Sequence, residues 1–266
     1  MPFTLALTSQ KAKSAKLPWV KGSKLSQLKN IFIKWFGQTA FTSTKRILDG
    51  LIFSYKKIIY SQNGEDCFIE NYFKGKKNGT YIDVGSFHPK QFSNTFKLYD
   101  SYHWSGISID ARPGSSVLFN KIRPRDLAIE TPISNIPTSL EYFSWGDHSE
   151  NTMDPAQANA LEKTLGPPLK VITMQTRTLK SILDSHLEKN KIIDLMSVDV
   201  EGLDLEVLKS NDWKSYRPKL LVVEIFTDKL SLLRTHPVFK FLEENNYEMV
   251  GWLNPSVIFE DQLNRD

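Results

Sequence analysis

The chain has 266 residues, 40% of them hydrophobic and 24% charged, with a net charge of +4. This composition suits a soluble globular protein of one α/β domain plus an appendage, or two small domains. A single cysteine, Cys67, excludes an internal disulfide framework and any zinc site built on several thiolates, and it suits a reducing, cytoplasmic compartment. No apolar run approaches the ~18 residues of a membrane span, and the first residues lack the apolar core of a signal peptide.

Charge divides the chain. Before Ser61 there are eleven lysines and arginines against Asp49 alone, so this part carries +10 and the remainder −6. Residues 1–59 therefore read as a basic leader, its first 23 residues polar and without apolar periodicity. Leu25, Leu28, Phe32, Trp35 and Phe36 recur at helical spacing, as do Leu48, Leu51, Ile52, Tyr55, Ile58 and Ile59. Two amphipathic helices are expected there. They would pack on the rest of the protein or on a second subunit, or lie peripherally on the inner face of an anionic membrane through residues 25–59. A transit peptide is a third reading, set against the scarcity of arginine. The acidic body offers no nucleic-acid surface.

From Thr80 onward strands and helices alternate. Thr80–Val84, Gly106–Asp110, Asp126–Ile129, Asp194–Asp199 and Lys219–Ile225 are short apolar runs, separated by helical patterns at 117–122 and 203–208. Further helices are expected at 68–73, 180–187 and 238–245. Buried strands alternating with helices predict a parallel sheet covered on both faces, with ligands at the carboxyl ends of its strands. Asp83, Asp110, Asp199 and Glu224 fall at or near such ends. Leu140–Trp145 and Val171–Thr176 read as extra strands flanking a polar insert, residues 146–168, expected to be a loop or lid over the site.

Gly85 after the first strand lets the backbone approach a ligand. It stands alone, without the three glycines of a dinucleotide fingerprint, which disfavours a nicotinamide-dependent oxidoreductase. Asp110 ends the second strand, where an acid can hold both hydroxyls of an adenosine ribose, or else cap the turn before Pro113. Asp199 and Glu201 lie two apart in extended chain, so both carboxylates can face one pocket. They could remove a proton from a hydroxyl, or join Glu224 in holding a hard divalent ion such as magnesium or manganese. Glu201 and Asp204 could instead cap the following helix.

Seven motifs in order resemble the FkbM-type methyltransferases: Ser61-Gln-Asn-Gly-Glu-Asp66, Tyr81-Ile-Asp-Val-Gly85, His88-Pro89, Ser93-Asn-Thr95, Trp104-Ser-Gly-Ile107, Arg123-Pro-Arg-Asp126 and Asp199-Val-Glu-Gly202. The resemblance spans roughly Tyr60 to Ile225. It implies a Rossmann-like α/β fold, S-adenosylmethionine as donor, and O-methylation of a saccharide or other hydroxyl-bearing acceptor, as in polysaccharide or glycolipid biosynthesis. It further implies that Ser61, Gln62, Gly64, Glu65 and Asp66 help close the cofactor pocket. Asp83, Gly85 and Ser86 would line its methionine end, and Ser93, Asn94 and Thr95 its wall. Asp110 would take the ribose, and Asp126 would lie near the adenine, unless it pairs with Arg123 or Arg125. Asp199, Glu201 and His88 become the catalytic candidates. A non-catalytic binding module with the same fold is the competing class, and an oligomer is compatible with either.

Overall fold

The computed structural model describes residues 31, 33–40, 57–189 and 191–264. The chain divides into two compact units between Lys57 and Ile58. In the first unit the described residues form a single helix, α1 (31 and 33–40), with Ile31, Trp35 and Phe36 exposed. The rest of the amphipathic pattern expected at 25–59 lies outside the described residues, apart from the exposed Ile58 and Ile59 of the second unit. Among the described residues no helix is long and apolar enough to cross a membrane.

In the second unit the elements follow the order α2 (Glu65–Tyr72), β1 (Thr80–Val84), α3 (Phe96–Tyr102), β2 (Ser105–Asp110), α4 (Ser115–Ile122), β3 (Leu127–Glu130), β4 (Ser139–Ser144), α5 (Pro155–Leu165) and β5 (Lys170–Gln175). They continue with α6 (Leu179–His186), β6 (Ile193–Val198), α7 (Asp204–Lys209), β7 (Pro218–Glu224), α8 (Leu230–Leu233), α9 (Pro237–Glu244), β8 (Tyr247–Leu253) and β9 (Ser256–Asp261). Seven strands form one sheet in the order β3-β2-β1-β6-β7-β9-β8. The first five are mutually parallel, and β9 runs antiparallel to both β7 and β8. This is the Rossmann-like sheet expected, closed at one edge by a C-terminal hairpin. β4 and β5 form a separate antiparallel pair with Tyr142 opposite Ile172 and Leu140 opposite Met174.

Central position explains the composition of β1 and β6. Every residue of Thr80–Val84 and Ile193–Val198 is buried, because helices cover both faces and strands flank both edges. One side of the sheet packs Ile82, Val84, Met196, Val198, Leu221 and Val223 against α6, α7 and α9; the other packs Tyr81, Leu195, Leu220 and Ile258 against α2 and α3. Helix starts follow local chemistry. Asp154 accepts the Ala156 amide at 2.9 Å with Pro155 in the first turn of α5, and Thr178 accepts Ser181 at 3.1 Å at the start of α6.

Three elements lay beyond the sequence reading. α3 buries four consecutive residues, Phe96 to Tyr99, so it lacks the one-sided apolar period of an amphipathic helix. The β8–β9 hairpin and the one-turn α8 follow the last expected strand, and β8 pairs with β9 through a register shift at Met249/Gly251 that interrupts strict alternation.

On the α3 side lies a fully buried Arg123. Its Nε donates to Asp126 Oδ2 at 2.7 Å, and its Nη2 donates to Tyr81 Oη at 2.6 Å and Thr95 Oγ1 at 2.9 Å. The rings of Tyr81, Tyr99 and Phe119 surround the guanidinium. Removing one member of such an ion pair strands its partner's charge. Arg123→Met is therefore expected to lower stability by about 3–5 kcal/mol, read in a denaturant midpoint. An unchanged midpoint would mean that this network contributes nothing.

Candidate active site

The C-terminal ends of β1, β2 and β6 converge on one cleft, lined by Gly85, Asp110, Arg112, Thr131, Tyr142, Asp199 and Glu201 among others. Its floor is set by a close backbone crossing. Asp199 N donates to Val84 O at 3.0 Å, and Gly85 N donates to Ile109 O at 2.9 Å. Gly85 has φ +81°, and a Cβ on it would sit 2.6 Å from the Asp199 carbonyl carbon and closer still to its oxygen. Only glycine permits this approach.

Asp110 ends β2 with both carboxylate oxygens engaged by backbone: Oδ2 accepts Phe87 N at 2.7 Å and Oδ1 accepts Arg112 N at 2.7 Å. Each oxygen keeps a further lone pair toward the cleft. Burial pushes this carboxyl up, and the two amides pull it back. Arg112 arches over the same loop. Its Nη2 donates to Phe87 O, its guanidinium lies 5.0 Å from the Phe87 ring centroid, and it ion-pairs with Asp147 of the insert. The insert lines one side of the cleft with His148, Ser149, Asn151 and Met153. Tyr142 of β4, its phenol pushed up to about 12 by burial and then by the Asp110 charge, lines it too.

At the ends of β6 and β7 Asp199, Glu201 and Glu224 each offer an oxygen within 4.8 Å of the others. Glu201 sits at φ +54° and Gly202 at φ +106°, so the chain turns sharply there and directs the Glu201 side chain inward. The insert fastens this turn: Gln157 Nε2 donates to Glu201 Oε2 at 2.7 Å, and Thr152 Oγ1 donates to Glu201 O at 2.7 Å. Burial, then the Asp199 charge, pushes Glu201 up to about 8; the same two causes push Asp204 up to about 7. Burial also raises Asp199 and Glu224. For Asp199 the Asp83 and Glu65 charges add to the rise, and for Glu224 the Asp199 charge does. Ionising either carboxyl of this pair therefore makes it harder to ionise the other.

Of the residues expected in the site, the structure brings Gly85, Asp110, Asp199 and Glu201 to the cleft, with Glu224 beside the last two. Asp83 stands just behind it, raised by burial and accepting Thr95 Oγ1 at 2.6 Å. Ser93 accepts the Phe96 amide at 3.0 Å, Asn94 donates to Ser197 Oγ at 3.0 Å, and Ser86 is buried beneath the loop. These brace the floor rather than line it.

Three expectations are corrected. Asp126 stands just before β3, and its carboxylate is committed to Arg123, Tyr81 and the Gly106 amide, so it is a core ion pair and not an adenine contact. His88 turns its Nδ1 to the amides of Lys90 and Gln91, at 3.1 and 2.9 Å, and lies outside the cleft lining; burial lowers its pKa. The 61–66 segment closes on itself rather than on the cleft. Ser61 Oγ donates to Asp66 Oδ1 at 3.0 Å, Gly64 precedes α2, Gln62 is exposed, and Glu65 accepts Ser256 Oγ at 2.8 Å. Sequence reasoning missed Arg112, Thr131 and Tyr142. Tyr142 alone carried a signal, as an inward position of the expected strand 140–145.

Comparison with solved structures finds the precorrin-6y C5,15-methyltransferase of Geobacter metallireducens GS-15, 12% identical, with a TM-score of 0.38 over 77% of this chain and 90% of that one. No curated protein matches the chain. The profile of the methyltransferase FkbM domain matches residues 83–249, from the acid of β1 into β8, and so takes in all four cleft residues. The chain belongs to the FkbM methyltransferase family.

Proposed function

We propose that the protein transfers a methyl group from S-adenosylmethionine to a hydroxyl of a saccharide or saccharide-containing acceptor, as in polysaccharide or glycolipid biosynthesis. The observation that carries this reading is that one cleft holds the carboxyl of Asp110 at the end of β2 and that of Asp199 at the end of β6. Asp110 would bind the donor's ribose hydroxyls through the lone pairs its amides leave open. Gly85, which has no side chain, would leave room for the methionine end.

Methyl transfer is a single displacement. An oxygen lone pair of the acceptor attacks the methyl carbon as the carbon–sulfur pair returns to sulfur, leaving S-adenosylhomocysteine. Alignment supplies most of the acceleration, and the hydroxyl proton needs an acceptor. Asp199 is the carboxyl at hand, with Gln157 steadying Glu201 beside it. The polar insert, with His148, Ser149 and Asn151 on the cleft, suits an acceptor rich in hydroxyls.

Calorimetric titration with S-adenosylmethionine, S-adenosylhomocysteine and NAD tests the donor. Both sulfur compounds should bind, NAD should not, and Asp110→Ala should weaken binding by about 2–3 kcal/mol, some 30- to 150-fold, for the loss of charged hydrogen bonds. Binding of NAD alone would replace this reading with a nicotinamide enzyme.

A further inference from the structure

We propose that Asp199, Glu201 and Glu224 form a site for one hard divalent cation of the magnesium or manganese type, which holds the acceptor's oxygens. This deepens the hydroxyl-methylation reading above and rests on it. All three ligands are carboxylates, the donors such ions select. One oxygen from each lies within 4.8 Å of the others. An ion bonded at about 2.1 Å spaces opposite ligands about 4.2 Å apart, so small side-chain rotations suffice to close the set.

A second observation is independent of the clustering. Asp199 Oδ1 and Glu224 Oε2 are completely buried and have no hydrogen-bond partner. Among the described residues no lysine, arginine or histidine ion-pairs with any of the three. Buried carboxylate oxygens left without a donor require a proton, a cationic partner or a metal.

The surroundings are also arranged as a second layer. Gln157 orients Glu201 through Oε2 and leaves Oε1 uncommitted, while the Thr152 hydroxyl ties down the Glu201 backbone. With a cation in place, the ion would acidify the acceptor hydroxyl, and Asp199, ligating it through one oxygen, would take the proton on the other.

The test uses full-length protein stripped with a chelator and titrated with Mn²⁺ by electron paramagnetic resonance, with S-adenosylhomocysteine affinity measured on the same samples by calorimetry. Wild type should bind one Mn²⁺ per chain, displaced by excess Mg²⁺, and Glu224→Gln and Glu201→Gln should each weaken Mn²⁺ binding at least about tenfold. Their affinity for S-adenosylhomocysteine should stay within a few fold, which certifies their folding. Absence of Mn²⁺ binding at about 1 mM, a concentration well above that needed to fill a functional site, would overturn the cation while leaving the donor reading intact. Mn²⁺ affinity unchanged in both variants would overturn it as well, by putting the ion elsewhere. Failure of wild type to bind S-adenosylhomocysteine would instead sink the donor reading itself.

Discussion

Asp199→Asn is expected to lower kcat by about 10²–10⁴-fold, the range for losing a positioned proton acceptor, while the affinity for S-adenosylhomocysteine changes little. Asp199 is one member of a buried pair, and its neighbours Asp83, Glu201, Asp204 and Glu224 are all acids. The amide is nearly isosteric and removes one buried acid from that group. The melting temperature should therefore not fall below that of wild type. Single-turnover transfer with saturating donor, alongside a melting curve, separates the effects. Activity within tenfold of wild type would show that the carboxylate is not part of the chemistry. A parallel loss of donor affinity and melting temperature would show that its role is to hold the fold.

Gly85→Ala should damage the protein at a different level. The new methyl group meets the Asp199 peptide across the crossing of β1 and β6, two backbones that cannot rotate aside. A non-glycine residue at such a φ costs about 1–3 kcal/mol, and forcing an atom into a packed interior costs about 1–3 more. Against a total stability of about 5–15 kcal/mol, the expected result is a melting temperature lower by roughly 10 °C or more, with donor binding lost. The contrast with Asp199→Asn is diagnostic: one variant is stable and inactive, the other unstable and empty-handed. Normal melting and donor affinity in Gly85→Ala would mean that the ends of β1 and β6 lie farther apart than described.

Much of the sheet was legible in the chain because its central strands are buried on both faces and so stand out as short apolar runs. Asp110, Asp199, Glu201 and Glu224 were legible for a related reason. An acid at the end of such a run has nowhere to go but the carboxyl edge of the sheet. What could not be read was partnership. The Arg123-Pro-Arg-Asp126 motif looks the same whether its acid faces a ligand or an arginine, and only the three-dimensional proximity of Tyr81 and Thr95 decides for the arginine. His88 illustrates the same point. A half-buried histidine near a glycine loop suggests chemistry, but its ring nitrogen closes a local turn. Arg112 and Thr131 had no pattern at all, since loop residues reach the cleft through the path of the chain and not through periodicity.

The position of the insert has a consequence for how this enzyme could change over time. Residues 145–169 leave from β4 and return into β5, a two-stranded ribbon separate from the seven-stranded sheet. Lengthening, shortening or rewriting that excursion would leave the register of every strand that shapes the floor of the cleft untouched. Yet the same excursion grips the turn at Glu201 through Thr152 and Gln157 and ion-pairs with the Asp110 loop through Asp147. If the insert contacts the acceptor as proposed, the floor of the cleft and the choice of acceptor lie on separable stretches of chain. New acceptors can be explored by grafting one ribbon, provided the graft keeps those three handholds.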